Sequence, residues 1–133
     1  MFGKKSENKP SGRIDSLIGA GTRVEGSIRF AGGLRIDGEV VGSVEAAEGA
    51  SSSTLVISEH ARVEGAICVA HLVTNGMVVG PVTVSESLEM QSKARIVGDV
   101  DYAMIEMHQG AVIEGHLVHR GGKSVELKLA ASN

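Results

Sequence analysis

Apolar residues recur two positions apart along most of this chain, in short runs that alternate with polar residues. Leu34 and Ile36 form one such pair, and Val82 and Val84 form another. When the period is two residues, alternate side chains lie on one face of a β-strand. These runs therefore predict short strands with one buried face. Glycine interrupts the chain every few residues, and Val and Ile dominate the apolar set, which disfavours helices.

A five-residue repeat, aliphatic-x-Gly-x-aliphatic, organises these runs. It occurs seven times, centred on Gly26, Gly38, Gly42, Gly65, Gly80, Gly98 and Gly115. In an extended strand the two aliphatic residues and the glycine share one face, so we expect them to line a tight core. The core positions that define this repeat are Val24, Gly26, Ile28, Ile36, Gly38, Val40, Val63, Gly65, Ile67, Ile96, Gly98, Val100, Ile113, Gly115 and Leu117.

The spacing of the glycines predicts how the strands are arranged. The steps between Gly65 and Gly115 are 15, 18 and 17 residues, which is about three strands of five to six residues each. A chain that returns to the same position after three short strands is a solenoid, so the sequence predicts an all-β, three-sided parallel β-helix of about six coils. We interpret the 12-residue step from Gly26 to Gly38 as two sides of a coil. The 23-residue step from Gly42 to Gly65 predicts a loop at one corner, over the small polar run 46–53.

The composition indicates what kind of core the chain forms and which partners it disfavours. The chain of 133 residues suits one domain, and its only aromatic residues are Phe2, Phe30 and Tyr102, so the core must be narrow and aliphatic. The net charge is -3 and the basic residues are scattered, which argues against nucleic acid as a partner. Cys68 is the single cysteine, so an intrachain disulfide is excluded and a reducing compartment is expected. We expect neither a membrane-spanning helix nor a signal peptide, because no stretch is apolar enough.

The chain divides into three parts. Residues 1–14 are expected to form a flexible tail, because they hold too little apolar material to offset the entropy of ordering. Residues 15–119 are expected to form the β-helix, and residues 120–133 a terminal strand and C-terminal tail. Val125, Leu127 and Leu129 alternate with polar residues there. No segment is a convincing cap, so both ends of the rod are expected to be open strand edges.

Candidate catalytic and metal-binding residues are few. His116 and His119 stand three positions apart, which places them on opposite faces of a strand and disfavours a shared metal. Cys68 and His71 could form a nucleophile and base, but a buried structural thiol is the commoner role of a cysteine in a Val-rich strand. We therefore expect no metal, no catalytic residue and no cofactor.

Acidic residues precede several of the repeat glycines. Glu25, Asp37, Glu64 and Glu114 stand at this position and are predicted to form a column on the outside of the rod. Such a column either keeps the surface soluble or docks a basic partner. The first interpretation is the simpler one, and nothing in the sequence separates the two.

An ordered set of motifs resembles the bactofilin family. These motifs are the run from Ser16 to Gly26, the segment Gly33-Leu34-Arg35-Ile36-Asp37-Gly38 and the later Ala61-Arg62-Val63-Glu64-Gly65. The resemblance spans residues 16–119. It implies a right-handed, three-sided β-helix that assembles without nucleotide into filaments through the ends of its rods, with no enzymatic activity. We expect the polymer contacts to involve Leu17 and Ile18 at one end and Val125, Leu127 and Leu129 at the other.

The resemblance also implies a location and partners. Many bactofilins carry an N-terminal membrane-targeting segment that begins Met-Phe before a basic residue, and Met1, Phe2, Lys4 and Lys5 match it. The expected location is therefore the cytoplasm, peripheral to the inner face of the cytoplasmic membrane. Bactofilin polymers act as scaffolds for peptidoglycan-synthesising or peptidoglycan-cleaving enzymes, so these enzymes are the expected partners besides the protein itself.

Two other classes of protein remain as alternatives. A hexapeptide-repeat acyltransferase is also a prismatic β-helix, but it keeps a strict six-residue period, whereas the glycine steps here are irregular. A monomeric β-helical binding module would present the acidic column to a partner. Sedimentation of the purified protein distinguishes that module from a polymer.

Overall fold

The computed structural model describes residues 14–47 and 52–119, which form sixteen short β-strands. None of these residues is helical. The strands are β1 (Ser16–Ile18), β2 (Arg23–Glu25), β3 (Ile28–Phe30), β4 (Gly33–Ile36), β5 (Glu39–Val41), β6 (Val44–Ala46), β7 (Thr54–Ile57), β8 (Arg62–Glu64), β9 (Ile67–Thr74), β10 (Met77–Val79), β11 (Val82–Met90), β12 (Arg95–Val97), β13 (Val100–Tyr102), β14 (Met104–Met107), β15 (Val112–Glu114) and β16 (Leu117–His119).

The strands stack in three columns, and every pairing between them is parallel. Column 1 contains β1, β4, β7, the second halves of β9 and β11, and β14. Column 2 contains β2, β5, β8, β10, β12 and β15. Column 3 contains β3, β6, the first halves of β9 and β11, β13 and β16. The predicted all-β parallel solenoid of about six coils is thereby confirmed.

Each coil takes one strand from each column in turn. Coil 1 is β1 to β3 and coil 2 is β4 to β6. The long strands β9 and β11 each run from column 3 of one coil into column 1 of the next, so they join coils 3, 4 and 5. Their mutual register shifts between Val84 and Ser87, where the chain passes from one column to the other. Coil 6 is β14 to β16.

The core is a set of aliphatic rows, because parallel stacking in register sets each residue above its equivalent. In column 1 Leu34, Leu55, Leu72 and Leu88 follow one another. Column 2 contributes Val40, Val63, Val78 and Ile96, all 0% exposed, and column 3 contributes Val44, Ile67, Val82 and Val100. Phe30 and Tyr102 are the buried aromatic residues of the described part, and they lie toward its two ends.

The repeat glycines lie at a corner, which corrects the prediction that they belong to a flat strand face. Gly26, Gly42, Gly65, Gly80, Gly98 and Gly115 stand between column 2 and column 3, one in each coil. Gly80 has a φ of 142° and Gly98 a φ of 146°, a region that residues with a side chain rarely adopt. A Cβ on any of the last five would also collide with the carbonyl oxygen of the glycine in the preceding coil.

Gly38 lies at a different corner, so its copy of the repeat is not equivalent to the others. It follows column 1 rather than column 2, and a Cβ there would collide with the carbonyls of Gly19 and Thr22. The true successor of Gly26 is Gly42, whose chain neighbour Ser43 stacks on Ser27. Between Gly26 and Gly38 the chain runs through β3 and β4, so this 12-residue step spans two sides of a coil, as predicted.

The predicted acidic column is wrong as a continuous feature. In column 2 the register places Val41 between Glu25 and Glu64, and Val79 and Val97 between Glu64 and Glu114.

Asp37 lies at the other corner, where the Ser58 hydroxyl and then Arg35 hold its pKa below the usual value. An arginine also accompanies each glutamate: Arg23 lies 2.9 Å from Glu25, Arg62 lies 2.6 Å from Glu64, and Arg95 contacts Glu114. This surface is a set of local ion pairs and presents no stripe of unpaired negative charge to a basic partner.

The extra residues of the longest coil fall between β6 and β7, where the loop was predicted. Residues 48–51 lie outside the described part. The returning chain is anchored by the buried Ser53, whose hydroxyl accepts a hydrogen bond from the Ala70 N–H at 3.2 Å. The Ser53 carbonyl accepts another from the His71 N–H at 3.0 Å, so the insertion leaves the parallel stacking of columns 1 and 3 intact.

Candidate functional site at the ends of the solenoid

The N-terminal end of the solenoid exposes residues that belong to core rows. Val24 starts the row that continues with Val40, and Ile28 starts the row that continues with Val44. Val40 and Val44 are fully buried, whereas Val24 and Ile28 pack against the core on one side and are only partly buried. The difference follows from position, because the end residues have no preceding coil among the described residues.

The C-terminal end shows the same pattern with more apolar surface. Ile105, Ile113 and Leu117 continue core rows and are partly buried. Met107 stacks on Met90 in column 1 and is 39% exposed, whereas Met90 is fully buried. Water therefore reaches large apolar side chains at this end, whereas the equivalent side chains of coil 5 are buried.

Backbone edges accompany these apolar ends. Among the described residues, β1, β2 and β3 pair only with coil 2, and β14, β15 and β16 pair only with coil 5. An unpaired strand edge presents N–H and C=O groups to a further strand. The corner is open as well, since a Cβ on Gly26 would meet nothing within 4 Å.

The structure separates the predicted polymer contacts. Ile18 points inward at the N-terminal end and packs against the core. Leu17 is 60% exposed and points outward, in register with the exposed Arg35 of coil 2, so it lies on the side of the rod. Val125, Leu127 and Leu129 lie outside the described residues, as do the predicted membrane-targeting residues Met1, Phe2, Lys4 and Lys5.

Sequence reasoning missed β14 as the start of the last described coil. Ile105 and Met107 alternate with polar residues there, and they continue the rows of Leu88 and Met90. The signal was present in this two-residue alternation, but no glycine repeat surrounds it. The predicted repeat residues Ile113 and Leu117 lie in the same coil, where they form part of the end surface.

Ionisable groups cluster where coil 6 meets coil 5. The Nε2 atom of His108 lies 3.4 Å from an oxygen of Glu89 and 3.3 Å from an oxygen of Glu106. His116 donates its backbone N–H to Asp99 at 3.0 Å, and its Nδ1 lies 3.2 Å from the same oxygen. The backbone N–H and then the imidazole of His116 hold the pKa of Asp99 below its usual value.

The catalytic candidates Cys68 and His71 lie in different columns of the solenoid. Cys68 is exposed on the outer face of column 3, between the inward Ile67 and Val69, so the prediction of a buried thiol is wrong. The His71 ring lies 2.9 Å from the Ser87 hydroxyl. Among the described residues, an open groove of ≈ 560 Å³ runs beside the corner of columns 1 and 2, and its lining includes Asp37, Ser58 and His60 but neither Cys68 nor His71.

The described residues form no helix that could cross a membrane.

The fold and its ends define a class: a parallel β-solenoid whose terminal coils have partly exposed core rows and strand edges that are unpaired among the described residues. The family described as bactofilin, polymer-forming cytoskeletal, matches residues 16–118. The chain belongs to the bactofilin family.

A curated relative agrees with this assignment. The chain is 25% identical over 112 residues to bactofilin BacP of Myxococcus xanthus strain DK1622. The match covers 84% of this chain and 45% of that relative, so the chain spans about half the length of the protein it resembles. No solved structure matches the chain.

Proposed function

We propose that this protein is a structural polymer that assembles end to end into filaments without nucleotide. The observation that carries the proposal is the partial exposure of core rows in coils 1 and 6 beside strand edges that are unpaired among the described residues. Stacking a second rod on either end would bury these side chains and extend the strand columns. Membership of a polymer-forming cytoskeletal family supports the same role.

The energetics favour assembly that depends on protein concentration. Full burial of one aliphatic side chain contributes about 1.5 to 3 kcal/mol, and each end offers at least three that are already half covered. Association itself costs about 4 to 15 kcal/mol of translational and rotational freedom. Hydrophobic burial alone therefore comes close to offsetting that cost, and pairing of the strand edges supplies the remainder. None of these terms requires nucleotide hydrolysis or a metal.

The proposed site of action is the inner face of the cytoplasmic membrane. Met1, Phe2, Lys4 and Lys5 combine a large apolar side chain with two cations, and each cation near anionic lipid contributes about 1 kcal/mol. One such tail binds weakly, whereas a filament carries many tails and binds multivalently. Recruitment of peptidoglycan-synthesising or peptidoglycan-cleaving enzymes is proposed from the family resemblance alone.

The proposed role is structural rather than catalytic. The glycine that marks each coil recurs at 42, 65, 80, 98 and 115, an irregular spacing unlike the strict six-residue period of hexapeptide-repeat acyltransferases. The ion-paired outer surface of column 2 gives no specific support to a monomeric module that binds a basic partner.

Electron microscopy and sedimentation of the purified chain test the proposal. The buffer contains EDTA and no nucleotide, and the protein concentration is raised to tens of micromolar. We expect filaments whose sedimented fraction rises steeply above a threshold concentration and is unchanged by added ATP or GTP. A protein that stays monomeric throughout, or that needs nucleotide, would contradict the proposal.

A further inference from the structure

Coil 6 contains three of the five histidines of the chain, and each of them contacts coil 5 or the residue that follows it. His108 follows β14, His116 precedes β16, and His119 ends β16. The last described coil therefore contacts the rest of the rod partly through imidazole side chains.

Two carboxylates surround His108. Glu89 and Glu106 are directly in register on neighbouring strands, a position where like charges repel each other. The His108 Nε2 atom lies within 3.4 Å of both, and the Gln91 amide donates to Glu89 at 3.4 Å. A protonated imidazole neutralises one of these two charges and attracts the other. A neutral imidazole can donate one hydrogen bond but leaves the repulsion between the carboxylates in place.

Asp99 holds His116 in a similar way at another corner. One carboxylate oxygen accepts from the His116 backbone N–H and lies 3.2 Å from its Nδ1. Protonation of the ring ensures a hydrogen on Nδ1 and adds Coulomb attraction to that hydrogen bond. These contacts lower the pKa of the Asp99 carboxyl group and so favour its charged form.

His119 provides the contrast. Its Nε2 donates to the Ala103 carbonyl at 3.1 Å, and its ring is tilted by 55° against that of Tyr102, 5.5 Å away. A neutral imidazole with its hydrogen on Nε2 makes this bond as well as a protonated one does. His119 therefore contributes packing at any pH, and the response to protonation rests on His108 and His116.

We propose that coil 6 is a pH-responsive end of the rod, fastened to coil 5 when His108 and His116 are protonated and loosened when they are neutral. The charged groups that face these imidazoles in the described residues are Glu89, Glu106 and Asp99. All three are carboxylates, so the protonated imidazole is the form favoured by docking. The contribution depends on the charge of the imidazole, the side chain whose ordinary charge change falls between about pH 5 and 8.

The consequence for assembly rests on the proposed function. Ile105, Ile113 and Leu117 present an ordered end surface only while coil 6 is docked. Loosening the coil at higher pH would lower the fraction of free rods that present that surface. We therefore expect filament ends to grow more readily at mildly acidic pH.

Hydrogen exchange of the full chain at pH 6 and pH 8 tests the proposal, with rates corrected for intrinsic exchange. Protein is kept below the concentration at which it sediments, so filament contacts do not protect coil 6. Loss of the two exposed ion pairs at pH 8 should lower the protection of residues 104–119 about five- to tenfold, while that of coils 3 and 4 stays constant. The double variant His108→Gln, His116→Gln should lose this difference, and His60→Gln, in a turn of coil 3, should keep it.

Equal protection of coil 6 at the two pH values in the unmodified chain would overturn the proposal. So would a double variant that keeps the full difference. The exchange measurement decides the matter even if the protein forms no filaments, in which case the proposed function fails separately. If coil 6 responds to pH while the threshold for sedimentation does not, the link between docking and assembly is refuted.

Discussion

The middle and terminal coils contain the same kinds of residue in the same rows, and yet among the described residues only the terminal coils leave core rows partly exposed. Ile96 lies between Val78 and Ile113 in column 2 and is 0% exposed. Ile113 has Ile96 on one side and is partly buried. The difference is that no further coil covers Ile113 among the described residues, since chemistry and backbone register are the same. In a solenoid, therefore, the surface that stabilises one coil on the next is also the surface that can join one molecule to the next.

Substituting the two isoleucines should give the largest contrast between these regions. Ile96→Asp puts an unpaired carboxylate into the closed core and should cost at least about 4 kcal/mol, enough to unfold the rod. Ile113→Asp leaves its carboxylate within reach of water, so the rod should stay folded with a much smaller loss of stability. Urea denaturation followed by circular dichroism measures both. Equal losses for the two variants would show that the ends are as closed as the middle.

The corner glycines give a second contrast of intermediate size. An alanine at position 80 or at position 26 would have to adopt a positive φ, which costs about 1 to 3 kcal/mol. Only at position 80 would the new Cβ also collide with a carbonyl, that of Gly65. We expect Gly80→Ala to lower the free energy of unfolding clearly more than Gly26→Ala. Denaturation midpoints that agree for the two variants would contradict the open corner of coil 1.

The smallest effect on the rod is expected from its N-terminal segment. Deleting residues 1–5 removes Met1, Phe2, Lys4 and Lys5 and leaves every coil intact. Filaments should therefore form at the usual threshold, while co-sedimentation with anionic vesicles falls several-fold because each filament loses its multivalent anchor. A truncated chain that no longer assembles would show that this segment takes part in the end contacts.

The sequence was sufficient to predict the coil and its core rows. Alternation with period two, together with glycine steps of 15 to 18 residues, has few solutions other than a three-strand coil. Leu72, Val78 and Val82 then fall into rows because parallel register sets equivalent residues above each other. The coil and its core rows follow from a local pattern that repeats along the chain.

The remaining features depend on register between coils, which the pattern of one segment does not contain. Gly38 and Gly42 both have an aliphatic residue two positions away on each side, but the carbonyls that force a glycine belong to coil 1 and differ at the two corners. The acidic column failed for the same reason, because Val41 and not Asp37 stands between Glu25 and Glu64. The end surface at Met107 was missed because its exposure depends on what lies beyond the last coil.

The most direct test of the account compares two neighbouring residues of β16. Leu117 continues a core row and packs against the core at the C-terminal end, whereas Val118 is 50% exposed and points outward. In Leu117→Arg a cation would be buried without a partner between stacked rods, a penalty of several kcal/mol. Sedimentation should show that Leu117→Arg raises the assembly threshold at least tenfold while its circular dichroism stays β-rich, and that Val118→Arg assembles normally. Normal assembly of Leu117→Arg would contradict end-to-end stacking through this surface.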